Sequence, residues 1–452
     1  MRISLKIPLT NKDFIRCSHA FSRCENEEAF THITTDSREA LPGDLFFSFA
    51  TDKESAREHV YMAREKGAKS VSSLIKEADF LVSDSEEALL NLAVFYKSKL
   101  KSLKATLAIT GSVGKTTAKE FSWAVLSPFF KTHKTYMNFN NALGLSLSLL
   151  TAPADTEVLV LELGMNALGE IKRLSEAIMP DAAAITNIGT AHIGMLGTRN
   201  LIARAKSEIS AGMTEELVIV PDGEPLLSDF KVKYSLSSPA SDYFLNDLGD
   251  GSYEFFHSGK KIISFSTKYK AEHHLKALTL ALAFANILSL SESEMALGIK
   301  AAEKLVLRQR LIDLKKFSVF DDTYSSSYEA VSADLDYLKL EYPNRAFSCA
   351  LGDILELGQE TVKIHRELGR LAYQRGAKRL FAFGSYSYLI REGALGAGMN
   401  KENVYVSTDS LDFRDIAKEI YNKSKDGEIV LIKASHALHA EKITEEIERL
   451  DK

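Results

Sequence analysis

Cysteine is scarce in this chain. Cys17, Cys24 and Cys349 are its three cysteines in 452 residues, and none sits at a metal-ligand spacing. Cys17 and Cys24 could pair, but two thiols do not make a disulfide framework, so a reducing compartment fits. No stretch approaches the roughly 20 consecutive apolar residues of a membrane span. The opening MRISLKIPLTNKDF lacks an apolar run of signal-peptide length, so a cytoplasmic protein is expected. There is no basic excess either: the formal net charge is -5, which disfavours a nucleic-acid polyanion as the main partner. Low-complexity segments and internal repeats are likewise missing.

What is present is ordinary globular material. Apolar residues make up 45% and charged residues 26%, enough to build several cores. At roughly 100–200 residues per domain, the length points to two to four domains, with three the natural division.

Residues 1–102 read as a small mixed α/β domain, with a buried strand in Asp44–Ala50 and helices over Ala56–Gly67 and Ala88–Leu100. From Lys104 short apolar strands alternate with helices: KATLAIT, EVLVLELG, DAAAITNIG and ELVIVPD. That rhythm means a parallel sheet covered on both faces. Residues 230–270 read as hairpins, and His274–Leu290 as an apolar helix. A third run follows in FSVFDD, RAFSCALGD, RLFAFGS, NVYVS and EIVLIKAS, a second doubly wound unit closed by an amphipathic helix. The expected fold is therefore α/β in three domains: 1–102, a central P-loop sheet at 103–310, and a Rossmann-like unit at 311–452.

The sharpest motif is Gly111-Ser112-Val113-Gly114-Lys115-Thr116-Thr117, between a strand and a helix, where a phosphate loop belongs. Glycines let backbone N–H groups converge on phosphate oxygens, and the helix N-terminus adds positive partial charge. Lys115 can reach terminal phosphates, and the Thr116 hydroxyl can meet Mg²⁺. The full Walker spacing wants a glycine at position 109, where this chain has Ile109.

TGSVGKTT is similar to the short phosphate loop of the Mur ligase family, and the motifs carrying this resemblance extend over nearly the whole chain. Thr35-Asp36-Ser37-Arg38 with Pro42-Gly43-Asp44 resembles the uridine-nucleotide segment, although TDKESAREH replaces the glycine-rich stretch that usually follows. Asn138-Phe139-Asn140-Asn141 resembles the NxNNxxG element. Glu162 in LELG, His192 in NIGTAH and Lys206 in AKSEI stand at the family's magnesium positions, where the lysine is carbamylated. Asp321-Asp322-Thr323-Tyr324 takes the place of DDxYNANP, with Ser325 and Ser327 for the asparagines. Leu351-Gly352-Asp353-Ile354-Leu355-Glu356-Leu357-Gly358 matches the LGDMLELG signature, followed by His365. Lys433 and Ser435 match the LVKGSR element, whereas Ala434 and His436 depart from it. Ala277 stands where the family places an adenine-contacting asparagine, and Arg308 or Arg310 fills the arginine position at the domain junction.

The resemblance implies an ATP-dependent carboxylate–amine ligase of the type that adds D-alanyl-D-alanine to UDP-MurNAc-tripeptide in peptidoglycan precursor synthesis. It implies ATP, two Mg²⁺ ions and a modified Lys206 as cofactors. The expected catalytic set is Lys115, Lys206, His192 and Glu162, with metal held by Thr116, Glu162, His192 and Lys206. ATP would meet residues 111–117, Arg310, Asp322 and Tyr324. Substrates would meet Ser37, Arg38, Asn138, Asn140, Asn141, Asp353, Glu356, Lys433 and Ser435. A monomer with a hinge near residue 310 is expected. The alternatives are a sister ligase of MurE or folylpolyglutamate type, disfavoured by LGDILELG, or a degenerate nucleotide-binding protein, disfavoured by the intact GKTT, Glu162, His192 and Lys206.

Overall fold

The computed structural model describes residues 1–23, 27–306, 309–408 and 413–452. Cys24, and with it the question of a Cys17–Cys24 pair, lies outside the described residues, as does Arg308 at the expected hinge.

Three sheets follow one another along the chain. The first has six strands, with Ala29–Thr34, Leu45–Phe47, Lys69–Ser72 and Phe80–Leu81 running parallel in that order. Arg2–Thr10 adds antiparallel to Ala29–Thr34 at one edge. Neither of these two strands is anticipated above. Charged and polar residues interrupt both, and only alternate positions of Arg2–Thr10 turn inward. The two expected helices are present as Lys53–Glu65 and Ser85–Ser98, and each starts three residues early. The side chains of Asp52 and Asp84 cap them.

The central sheet has nine strands. Ala105–Thr110 lies between Val158–Glu162 and Ala182–Ile185, parallel to both, and all three are buried. Strands buried on both faces read as continuous apolar runs, which is why these were visible in the sequence. Helices Lys115–Leu126 and Glu272–Ile287 bury their apolar residues with one face of this sheet. Helix Ala142–Leu150 packs in the cluster on the other face, which continues into the N-terminal unit. The hairpins expected in 230–270 are Tyr243–Gly249, Ser252–His257 and Lys260–Ser266, paired antiparallel at the sheet's far edge.

The third sheet has the five expected strands in parallel, ordered Ser318–Asp321, Ile429–Lys433, Phe347–Leu351, Leu380–Phe383, Val404–Ser407. An additional strand, Arg310–Asp313, pairs antiparallel at its edge. The N-terminal and central units are pinned together. The buried Tyr96 hydroxyl donates to the Ala152 carbonyl at 2.7 Å and accepts from the Lys6 and Ile7 amides, while Arg173 pairs with Glu86 and Glu87. Among the described residues no helix is long and apolar enough to cross a membrane.

Candidate active site

Parallel strands deliver their carboxyl ends to one rim, and loops there line the ligand crevice. Here that rim opens on a cleft of about 1530 Å³, lined by the central unit, the C-terminal unit and Met1 of the N-terminal unit.

The phosphate loop leaves strand Ala105–Thr110 at this rim. Gly111 has φ +150°, and a Cβ there would sit 1.8 Å from Thr186 Oγ1, so a side chain has no room. Gly114 caps helix Lys115–Leu126 at φ +81°, which points the helix's first N–H groups into the cleft. The Asn187 side-chain oxygen accepts from the amides of Ser112 and Val113, each at 3.0 Å, bracing the loop from the next strand. Thr186 Oγ1 donates to the Val113 carbonyl at 2.6 Å. Lys115 folds back onto the loop and donates to the carbonyls of Gly111 and Ser112, at 2.7 and 3.3 Å.

Glu162 ends the neighbouring strand and is only 1% exposed. Its carboxylate accepts from Thr116 Oγ1 at 2.9 Å and from Asn140 Nδ2 at 2.8 Å. Asn138 lines the cleft beside them. Asn141 does too, although its side-chain oxygen is occupied as the N-cap of helix Ala142–Leu150, accepting from Gly144 N at 2.8 Å.

His192 sits across the cleft with a left-handed backbone (φ 64°), and its Nδ1 is 2.8 Å from Glu356 Oε2 of the C-terminal unit. Burial lowers the imidazole's pKa and nearby Lys115 and Lys206 lower it further, against the pull of Glu356. Lys206 is 1% exposed, and the neighbouring charge acting on it is another cation, Lys115. Burial and that repulsion drive its pKa far below the ordinary lysine value, favouring the neutral amine.

The C-terminal unit closes the cleft. Glu329 reaches over to Thr190, accepting from its amide at 2.8 Å and its hydroxyl at 3.1 Å. The Glu356 carbonyl accepts from Gly194 N at 2.8 Å. Lys433 is buried between Asp322 and Asp334, and Gln309, in the connector between the sheets, donates to Asp334 Oδ1 at 2.7 Å. Burial raises the Asp334 pKa while Lys433 draws it down. Ser435 Oγ accepts from the Leu355 amide at 2.9 Å, and the Tyr324 and His436 rings lie 5.3 Å apart in the cleft wall.

Of the expected site residues, Ser112 to Thr117, Asn138, Asn140, Asn141, Glu162, His192, Asp322, Tyr324, Glu356, Lys433 and Ser435 all line this one cleft. Gly111 and the buried Lys206 are not among the lining residues. Four others stand apart from the lining. Ser37 is buried against Met62, Arg38 is exposed and paired with Asp36, Arg310 pairs with Asp321 at 2.8 Å, and Asp353 holds the Ser385 and Tyr386 amides. Sequence reasoning missed the bracing role of Asn187, the Glu329 clamp and Lys119, which is wholly buried beside Glu162. A lysine one turn after Thr116 on an otherwise apolar helix face was the available signal for Lys119.

Among the described residues no three His, Cys, Asp or Glu side chains gather as a ready metal cage. A hard cation that keeps waters and phosphate oxygens needs only one or two protein oxygens. The paired oxygens of Glu162 and Thr116 beside the phosphate loop fit that requirement.

A phosphate loop joined to a metal-fitting carboxylate, facing a Rossmann-like unit across a cleft, defines an ATP-using ligase of the Mur class. Residues 109–285 match the Mur ligase middle domain. The chain is 33% identical to the UDP-N-acetylmuramoyl-tripeptide–D-alanyl-D-alanine ligase of Bacillus subtilis (strain 168), covering 93% of this chain and 94% of that one. It is 28% identical to the enzyme of the same name from Haemophilus influenzae, over 91% and 92% of the two chains. It superimposes on MurF from Acinetobacter baumannii with a TM-score of 0.85 at 26% identity, covering 99% and 100% of the two chains. MurF ligase from Thermotoga maritima in complex with ADP gives 0.77 at 26% identity over 92% and 97%. The chain belongs to the MurF family, the UDP-N-acetylmuramoyl-tripeptide–D-alanyl-D-alanine ligases.

Proposed function

We infer that this protein joins the terminal carboxylate of UDP-MurNAc-tripeptide to the amine of D-alanyl-D-alanine, with ATP hydrolysed to ADP and phosphate, in the cytoplasmic synthesis of peptidoglycan precursors. The observation that carries this reading is the convergence of Lys115, Thr116, Glu162 and His192 on one cleft that the C-terminal unit closes.

A carboxylate resists attack by an amine until its oxygen is made a leaving group. A carboxylate oxygen of the tripeptide attacks the γ-phosphorus, the bond to ADP breaks, and an acyl phosphate forms. The dipeptide amine then attacks the acyl carbon through a tetrahedral intermediate, loses a proton and expels phosphate. Little bond chemistry is left to the protein, so positioning and charge stabilisation do the catalysis. Lys115 turns from the carbonyls of Gly111 and Ser112 to the terminal phosphates. The amides that Asn187 aligns hold the phosphate chain. Thr116 and Glu162 on one side, with His192 and carbamylated Lys206 on the other, would hold two Mg²⁺ ions, which supply counter-charge to the phosphates. Lys206 suits that modification: a buried neutral amine is nucleophilic toward CO₂, and the carbamate replaces a disfavoured cation by an anion facing Lys115.

Residues 1–102 would bind the uridine nucleotide, 103–310 ATP and 311–452 the dipeptide, with the single chain acting as a monomer. Such an enzyme must close for reaction, and the Glu329–Thr190 and Glu356–His192 contacts support the closed arrangement.

The test is ADP release with UDP-MurNAc-tripeptide, with and without D-Ala-D-Ala, and mass spectrometry of the product. ADP formation that requires both substrates, with a product heavier by the dipeptide less water, is expected. Nucleotide binding without substrate-dependent ADP release would overturn the reading. Lys115→Ala should cut turnover by about a thousandfold.

A further inference from the structure

Lys119 lies one helical turn beyond Thr116 and is completely buried, yet its ammonium is surrounded by oxygen. It donates to the Met137 carbonyl and lies 3.4 Å from Glu120 Oε1 and 3.6 Å from Glu162 Oε2. Helix Lys115–Leu126 does not need this charge to fold, since its other buried residues there, such as Ala118 and Phe121, are apolar or small. A charge held out of water is tolerated only where its partners match it closely. Two features of those partners show what it serves.

The first is Glu162, whose other partners are neutral: the Thr116 hydroxyl and the Asn140 amide. Among these contacts Lys119 is the one full positive charge. The second is Met137, a left-handed residue (φ 46°) immediately before the amide-bearing stretch Asn138–Asn141. Residues 136–138 are exposed to the cleft, so the Met137 carbonyl tethers an otherwise exposed loop to a buried cation. The contacts form a closed ring. Lys119 holds Met137, the loop leads to Asn140, Asn140 donates to Glu162, and Glu162 returns to Lys119.

We propose that Lys119 is a positioning residue that couples the cleft loop 136–140 to the phosphate end of the nucleotide site, so that the acid substrate and the cation–nucleotide pair are set in register by one buried charge. This rests on the ligase reading above and deepens it. Lys119 touches neither the phosphates nor the reacting carboxyl; it acts through Glu162 and the Met137 carbonyl. Because it already neutralises part of the Glu162 charge, it also weakens the hold of that carboxylate on an incoming cation. The register is thus kept at some cost in cation affinity.

Lys119→Met removes the charge at similar length. In the folded full-length variant, hydrogen exchange at the amides of 136–140 should quicken by about tenfold, with the rest of the central sheet unchanged. The Mg²⁺ concentration giving half-maximal ADP binding by calorimetry should fall by about fivefold, because a competing cation has gone. The KM for UDP-MurNAc-tripeptide should rise by about tenfold while that for D-Ala-D-Ala stays as in wild type. Lys119→Arg keeps the charge but not the fit. It should leave the Mg²⁺ midpoint within about twofold while loop exchange rises by about threefold, and it decides the matter if the Met variant does not fold. Exchange and Mg²⁺ midpoint both within twofold of wild type, or exchange quickened evenly across the central unit, would overturn the proposal. Wild-type protein that binds ADP with Mg²⁺ but makes no dipeptide-dependent product would instead defeat the ligase reading, and the exchange and calorimetry arms would still report on Lys119.

Discussion

At the scale of single residues, the cleft shows charges held where water would not leave them. Lys206 is the plainest case. It is buried with Lys115 as its charged neighbour, an arrangement that is costly for an ammonium and favourable for a carbamate. Lys206→Ala should therefore lose turnover by at least about a hundredfold while keeping its fold, and acetate or formate should restore part of the ADP release. Activity equal to wild type would remove Lys206 from the mechanism. GKTT and the strand-end Glu162 were legible as residues at one rim from their strand–turn context, whereas His192 and Lys206 were marked only by their resemblance to family motifs. Glu329 was not legible. Its role depends on meeting Thr190, 139 positions away in sequence, and nothing local marks it.

At the scale of elements, helix boundaries decide which polar groups face the cleft. Asn140 and Asn141 are neighbours with different duties: one donates to Glu162, and the other caps helix Ala142–Leu150. Removing a cap costs about 1 kcal/mol. Asn141→Ala should therefore lower the thermal midpoint by about 2–4 °C, with ADP affinity little changed, as followed by calorimetry and circular dichroism. Asn140→Ala should leave the midpoint alone and weaken turnover. Buried parallel strands were readable as apolar runs. Edge strands Arg2–Thr10 and Arg310–Asp313, and Ala29–Thr34 beside the first of them, were not, because polar and charged residues break their pattern. The helix starts at Lys53 and Ser85 were read three residues late, although Asp52 and Asp84 are acceptable caps in the sequence itself.

At the scale of the whole molecule, the central and C-terminal units meet around a cluster of rings. His274 on helix Glu272–Ile287 packs on Phe121 and Tyr269 of its own unit and on Tyr337 of the C-terminal unit. Burial lowers His273 to about 4 and His274 to about 2, from an ordinary 6.5. An unfolded chain takes up protons below pH 6.5 that the folded chain refuses. The stability from these neutral imidazoles is therefore complete above pH 6.5 and declines as the pH falls from there toward 4. For the buried His274 the slope is about 1.4 kcal/mol per pH unit. The thermal midpoint should drop steadily between pH 6.5 and 5, and His274→Gln should flatten that drop. An unchanged slope in the variant would place the proton uptake elsewhere.

The amino-acid sequence by itself determined the α/β class, the three successive sheets and the phosphate loop, because alternation of buried strands with helices and glycine-dependent turns are local properties of the chain. It also carried enough motif to mark the family. Only the tertiary structure decided which motif residues share the cleft. It joined His192 to Glu356, Thr190 to Glu329, and Lys119 to both Glu162 and Met137, while leaving Ser37, Arg38, Arg310 and Asp353 outside the lining. The reason is physical: a contact between distant segments is fixed by packing and by the cost of leaving a buried polar group without a partner, and neither leaves a periodic trace along the chain.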